Sequence, residues 1–446
     1  MRFHLSRRAV MGGAAAATAA GLAGCLTNPA DSSGDGDGGG SGGGAAGDGV
    51  VTILGNFGGV EADGFNAALE SFQEDTGITV EYTSDQDFAT TIRTRASAGD
   101  APDIALFPQP GGLLDLAAEG HVAPISDYLD VDSLQSSLIS GFLESATLED
   151  QIYAAPMRMA VKSLVWYPTA AYEEGGWSTE PATLQELYGI AEEIKDSGIA
   201  PWADAWNADQ STGWVGTDWL EEFMLRIHGP EVYDQWTSHE IPFNDPRVVE
   251  ALDHLGELLL TEGNVLGGSQ TILNTEFSEA SLPLFEDPPR AMLHRQGNFV
   301  TGFFPEDVQA ELDEAVGVFA LPAWEGGFDG VPMLGGGDLA ALFAPDDDEA
   351  IQVMEFITSE GFGAEWAQAG GWLSPHQTFD SSQYADETTR SVAEIASSAE
   401  VFRFDGSDLM PGPVGGGSFW TAMVEWVNGD KTSQEACDDV EASWPE

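Results

Sequence analysis

The chain has 446 residues, 75 of them acidic against 15 basic, which gives a formal net charge of −60 at pH 7. An anionic excess of that size excludes nucleic acid and anionic lipid surfaces as partners. It also strains a fold by self-repulsion in dilute salt, a strain that molar salt relieves by shortening the Debye length to ~3 Å, so the composition reads as halophilic.

Ser6-Arg7-Arg8-Ala9-Val10-Met11 is a twin-arginine (Tat) motif, and the Ala/Gly-rich stretch behind it ends at the lipobox Leu22-Ala23-Gly24-Cys25. That stretch is too short and too rich in glycine to span ~30 Å of hydrocarbon. Two export signals at this spacing predict a lipoprotein signal over residues 1–25, with Cys25 lipidated. The protein is then extracellular, held to the outer face of the cell membrane by that lipid alone. Residues 26–49, nearly all Gly, Ser, Asp and Ala, cannot bury apolar surface and read as a flexible linker. As a coil, about 24 residues reach roughly 25–30 Å. With Cys25 consumed by lipid, Cys437 stands alone and the mature monomer has no disulfide.

The body from Val50 onward exceeds what one hydrophobic core supports, so two lobes are expected. Val50 to Leu54 is a buried strand by its β-branched run, followed by helical periodicity over Glu61 to Asp75 that Gly77 stops. A strand over Ile78 to Tyr82, a helix over Phe88 to Ala98, a strand over Pro102 to Phe107 and a helix near Leu113 to Glu119 come next. This alternation predicts a parallel sheet covered by helices, with ligands bound beyond the carboxyl ends of the strands. From Thr169 to about Leu284 the pattern is mostly helical. Ala291 to Leu293, Val316 to Phe319 and Leu339 to Phe343 are strands, and the rest is helical with aromatic-rich loops.

At this point several stretches match a known family. They are Phe72-x-x-Asp75-Thr76-Gly77-Ile78-x-Val80, Ala98-Gly99-Asp100-Ala101-Pro102-Asp103-Ile104 and Ser163-Leu164-Val165-Trp166-Tyr167. Gly213-Trp214 with Thr217-Asp218-Trp219, Leu266-Gly267-Gly268, and His294 to Phe299 follow in order, then Arg403 to Pro411 and Ser418-Phe419-Trp420. The chain resembles the extracellular solute-binding proteins of carbohydrate ABC importers, most of all the branch serving α-glucosides, and more distantly maltose-binding protein. The resemblance implies an α/β, two-lobed, type II periplasmic-binding-protein-like fold with a three-stranded hinge. Residues 50–160 with 297–334 would form the N-terminal lobe, and 161–296 with 335–446 the C-terminal lobe. The crossings would lie near 158–166, 290–298 and 332–339. It implies a monomeric substrate-binding component that captures a sugar, an α-glucoside or small oligosaccharide, and hands it to ABC permease subunits. Such a protein is no enzyme and needs no cofactor.

By the same resemblance Asn56 and Phe57 lie in a sugar-touching loop after the first strand, and Phe107, Pro108 and Gln109 in a second. Phe299 falls where a stacking aromatic is common, and Trp420 where a tryptophan stacks on a sugar ring. The acidic contact of several relatives at the first crossing is replaced here by Arg158 and Lys162.

Sugars present an apolar CH face and a rim of hydroxyls, so a site for them needs an aromatic platform and planar polar side chains. Of the 13 tryptophans, a lone one is more often core than platform. Trp214, Trp372 and Trp420 stand out because Gly213, Gly371 and Gly417 lie close by and let backbone and ligand approach. Asp218 sits in the same stretch as Trp214. Arg403, with Asp405 and Asp408 after it, either grips vicinal hydroxyls or pins a loop. Gln296 and Asn298 suit hydroxyls, or cap a short helix. Asp338, behind Gly335-Gly336-Gly337, belongs to a hinge or ligand-contacting turn, since no Lys or Ser/Thr follows to make a phosphate loop. Asp346 to Glu349 reads as a solvated helix start, and no zinc motif exists, so no metal is expected. The alternative function is a lipid-anchored glycoside hydrolase, which needs two carboxylates ~5–9 Å apart; no pair stands out.

Overall fold

The β-branched run at the start of the body forms β1 (Val50–Gly55), with Val51, Ile53 and Leu54 fully buried. The computed structural model describes residues 49–139 and 141–445. The twin-arginine motif, Cys25 and nearly all of the linker lie outside the described residues. β2 (Thr79–Ser84) and β3 (Ile104–Phe107) flank β1 in parallel. They are reached through α1 (Gly59–Thr76) and α2 (Phe88–Ala98), and α3 (Pro110–Ala118) follows. Gly77 and Gly99 end the first two helices with φ of 76° and 73°, the left-handed cap that glycine adopts without a Cβ penalty. The expected βαβαβα order is therefore present.

A small hairpin of β4 (Thr147–Leu148) and β5 (Gln151–Ile152) precedes β6 (Ala155–Val161), and β7 (Leu164–Pro168) comes directly after. Then come β8 (Ala200–Trp202), β9 (Ala291–Arg295), β10 (Val316–Ala320), the long β11 (Pro332–Leu342) and β12 (Val401–Phe404). Among the described residues, the first sheet has the order β12-β11-β3-β1-β2, with β6 also on β11, and the second the order β10-β7-β9-β8. One core gathers Leu69, Leu106 and Leu116 around the first sheet. The other gathers Leu220, Phe223, Leu255 and Trp426 beside the second. The second is built on the kinked helix Trp214–Thr237, broken at Gly229 ahead of Pro230.

The lobe boundaries expected from the sequence need correction. β10 pairs with β7 and so belongs to the second sheet, whereas the resemblance implies that residues 297–334 belong to the first lobe. Residues 335–446 do not stay together either. Val353, Met354, Trp366, Trp372 and Val392 pack into the first core, and the chain returns to the second only at Met410. The reason is β11. It is antiparallel to β3 over Leu339–Leu342, which commits the chain to the first sheet, and parallel β12 brings it back.

Candidate functional site

A cleft of about 880 Å³ opens between the strand ends of the first sheet and the segments around Trp214, Phe299 and Trp420, within the range typical of small-molecule sites. Its floor is the strand region between the lobes. Gly337 (φ 157°) lies so close to β6 that a Cβ would sit 2.1 Å from the Arg158 carbonyl oxygen. The register shifts just after it, between Asp338 and Leu339, and this irregularity presents Asp338 to the cleft.

Ten of the fourteen expected ligand residues line this cleft: Asn56, Phe57, Phe107, Gln109, Trp214, Asn298, Phe299, Asp338, Asp405 and Trp420. Asn56 and Phe57 follow β1, and Phe107 ends β3, so the carboxyl ends of the parallel strands do face the site. Trp214 begins its helix after Gly213, whose φ is 115°. A Cβ on Gly213 would meet the Trp420 carbonyl oxygen at 2.4 Å, so the two tryptophan-bearing segments touch. Trp420 follows a stretch of π-helical turn, Val414–Phe419, whose glycines form part of the wall. Trp214 packs edge-on against Phe277 at 5.4 Å and tilted against Phe299 at 6.1 Å. The result is an aromatic wall whose tryptophans are only half-buried.

The other four stand elsewhere. Trp372 is buried in the first core, against Phe362 and Phe379. The glycine beside it serves the backbone, and the side chain is packing. Arg403 pairs with Asp234 through both Nε and Nη2 at 2.6 and 2.8 Å, so it pins a loop and grips no ligand. Gln296 is buried and its Oε1 accepts from the Gly297 amide. Asp218 lies behind the wall, fully buried, bridging Lys162 (3.0 Å) and Arg295 (3.4 Å). Asn298 lines the cleft but is already committed: its Oδ1 accepts from the Val161 amide and its Nδ2 donates to the Gly371 carbonyl.

Two cations outside the expected ligand set organise the site. Lys162 lies 5.3 Å from the Trp214 ring and donates to Asp218 and Asp405. Burial disfavours its charge, but Asp218, Asp405 and Asp408 outweigh that and hold the ammonium well above its usual range. Asp405 caps the helix Gly406–Leu409 by accepting from the Asp408 amide, and Ser407 donates to it. Burial opposes its charge too, yet Lys162 and these donors hold it below the usual carboxylate range. Burial pushes Asp408 well upward, as does Asp405, while Lys162 and a hydrogen bond from Gln109 pull the other way. Across the floor, Arg158 lies 4.5 Å from the Phe57 ring and donates to Glu61 (2.6 Å) and Asp338. The signal for both is the scarcity of basic residues, 15 against 75 acidic ones.

Three buried polar atoms on the cleft's own residues have no partner: Asn56 Oδ1, Asp338 Oδ1 and Trp420 Nε1. Two acceptors and one donor beside an aromatic wall suit a ligand that both donates and accepts hydrogen bonds. Asp218, Glu221 and Asp405 lie close enough together to suggest a metal. Lys162 already donates to two of them, and Glu221 accepts from the amides of Gly406 and Ser407. Asp347 caps the helix Asp348–Ile357, as a solvated helix start should. No helix among the described residues is long and apolar enough to cross a membrane.

Known proteins share this architecture. The chain is similar to a chitin oligosaccharide binding protein (TM-score 0.74, 17% identity, 88% of this chain and 97% of that one). It is also similar to the maltose-bound MalE3 of T. maritima (TM-score 0.68, 17% identity, 88% and 98%), so the fold is that of two-lobed type II binding proteins. The osmoprotective compounds-binding protein GgtB of Synechocystis is 41% identical over 89% of this chain and 92% of its own. The alpha-glucosides-binding periplasmic protein AglE of Rhizobium meliloti is 34% identical over 88% and 86%. Residues 58–364 match the family model described as bacterial extracellular solute-binding protein. The chain belongs to the bacterial extracellular solute-binding protein family.

Proposed function

We propose that this protein captures an α-glucoside or a small oligosaccharide outside the cell and delivers it to the permease of an ABC importer. The observation that carries the reading is the cleft wall. Half-buried Trp214 and Trp420 supply platforms for a sugar's CH face, and the unpartnered atoms of Asn56, Asp338 and Trp420 match its hydroxyl rim. Similarity to relatives named for α-glucosides and for osmoprotective compounds supports the ligand class. The cleft carboxylates Asp405, Asp338 and Glu61 are engaged with Lys162 and Arg158, which favours holding a ligand over cleaving a glycosidic bond. The Tat signal and lipobox support a protein tethered to the membrane by lipid on Cys25. The excess of acid supports work in strong brine. Calorimetric titration in molar salt with maltose, trehalose, sucrose and glucose tests the proposal. Saturable binding of at least one sugar, with no glucose released from the disaccharides, is the expected result. Steady release of glucose would replace a receptor with a hydrolase.

A further inference from the structure

Three cations line the cleft, and each one is already taken. Arg93 pairs with Asp115 and faces Glu119, Lys162 sits between Asp218 and Asp405, and Arg158 between Glu61 and Asp338. The Arg158 arrangement differs from the other two in its position. Lys162 is held from behind by Asp218, a residue outside the cleft lining, whereas both carboxylates on Arg158 belong to residues of the cleft wall. They come from separate elements, Glu61 from the first turn of α1 and Asp338 from β11, so neither is a by-product of local chain geometry. The guanidinium is largely covered, its side chain 14% exposed, and it packs against the rings of Phe57 and Trp366. Nε is on Asp338 and Nη1 on Glu61, so each edge of the fork has one donor already taken and neither edge offers an anion two free donors. Asp338 meanwhile keeps one oxygen without a partner, and Asn56 an amide oxygen, so what the cleft offers beside Arg158 is acceptors.

We infer that the Glu61–Arg158–Asp338 triad sets the charge specificity of the cleft. It admits uncharged saccharides, whose hydroxyls donate to Asp338 and Asn56, and rejects anionic ones such as sugar phosphates or uronates. An incoming phosphate meets two carboxylates before it meets the guanidinium, and the low-dielectric walls strengthen that repulsion. The converse follows from the same geometry. Removing one carboxylate leaves Arg158 with donors to spare, and a guanidinium fork fits phosphate oxygens. This inference rests on the saccharide-binding reading.

The test is titration of the full protein, at one fixed salt concentration, with two matched pairs: trehalose with trehalose 6-phosphate, and sucrose with sucrose 6′-phosphate. In the parent, each phosphate should bind at least about 100-fold more weakly than its neutral partner. In Glu61→Gln, at a side chain 20% exposed that tolerates the change, the gap should narrow by about tenfold through tighter phosphate binding. The Glu61→Gln, Arg158→Gln double variant should lose that gain, because the fork itself is gone. Asp338→Asn should narrow the gap and also weaken the neutral sugar, since the amide cannot reproduce both carboxylate contacts. A parent that binds a phosphate as tightly as its neutral partner would overturn the inference. So would a folded Glu61→Gln protein with an unchanged gap, while the sugar reading survived. Absence of binding for every neutral sugar would instead sink the reading beneath it, and the inference with it.

Discussion

Trp420 and Trp372 carry the same side chain beside glycines, yet one stands in the cleft wall and the other is buried in the first core. Their substitutions should therefore move different observables. Trp372→Ala opens a large cavity and should cost about 3–5 kcal/mol of stability, read as a lowered Tm, with sugar affinity nearly unchanged in the protein that remains folded. A normal Tm with lost affinity would contradict that placement. Asp218 makes a second residue-level claim, through pH. Burial pushes it up to about 8, against the pull of Lys162 and with the push of Asp405. The native state then keeps a proton that the unfolded chain releases near about pH 4. The associated stability is full below that value and is lost as pH rises through about 8. Asp405 is held low, so its own contribution is lost only in strong acid and stays constant over this window. At fixed salt, Tm should fall between about pH 5 and about pH 9, and Asp218→Asn should flatten the decline. A parent Tm that rises over this range would show that the carboxylate is ionised in the fold.

At the scale of elements, α3 and the turn after the helix Gly406–Leu409 meet backbone to backbone. Gly111 of α3 belongs to the first core's side and Met410 to the second core, and a Cβ on Gly111 would sit 2.1 Å from the Met410 carbonyl oxygen. Gly111→Ala must wedge the lobes apart at this seam, so it should weaken sugar binding by about tenfold or more with a smaller effect on Tm. An unchanged dissociation constant would mean that the seam does not govern the cleft. The elements themselves were largely legible in the sequence. β1, α1, α2 and β3 follow from apolar period and from glycine stops, both of which are local signals. What periodicity could not reveal was membership. Val316 to Phe319 reads as a strand in either lobe, and only its pairing with β7 decides which. β12 is the four residues Val401-Phe402-Arg403-Phe404, too short to register as a strand beside its neighbours. The same limit applied to the site. Loops after β1 and β3 could be placed because strand ends point to ligands, and Trp214 and Trp420 because glycines flank them. The two readings of Arg403 could not be separated because its partner, Asp234, is distant in sequence, and a guanidinium between aromatics looks alike whether it grips a ligand or a loop.

For the whole molecule, a net charge of −60 on a chain with a free, buried thiol at Cys437 and no disulfide among the described residues leaves packing and counterions to hold the fold. Tm should climb as KCl rises from about 0.1 M to about 3 M, because screening shortens the range of self-repulsion. A Tm that falls with salt would contradict the reading of the composition as brine adaptation. The two lobes, the cleft between them and its aromatic wall converge on one claim, that the cleft holds a sugar against Trp420. The dissociation constant of the best-binding sugar of the four-sugar panel, measured by calorimetry for the parent and for Trp420→Ala with Tm taken on both, tests it most directly. The expected result is a loss of roughly 1–3 kcal/mol of binding, about tenfold to hundredfold in dissociation constant, with Tm held. A Trp420→Ala protein that melts like the parent and binds the sugar equally well would contradict it.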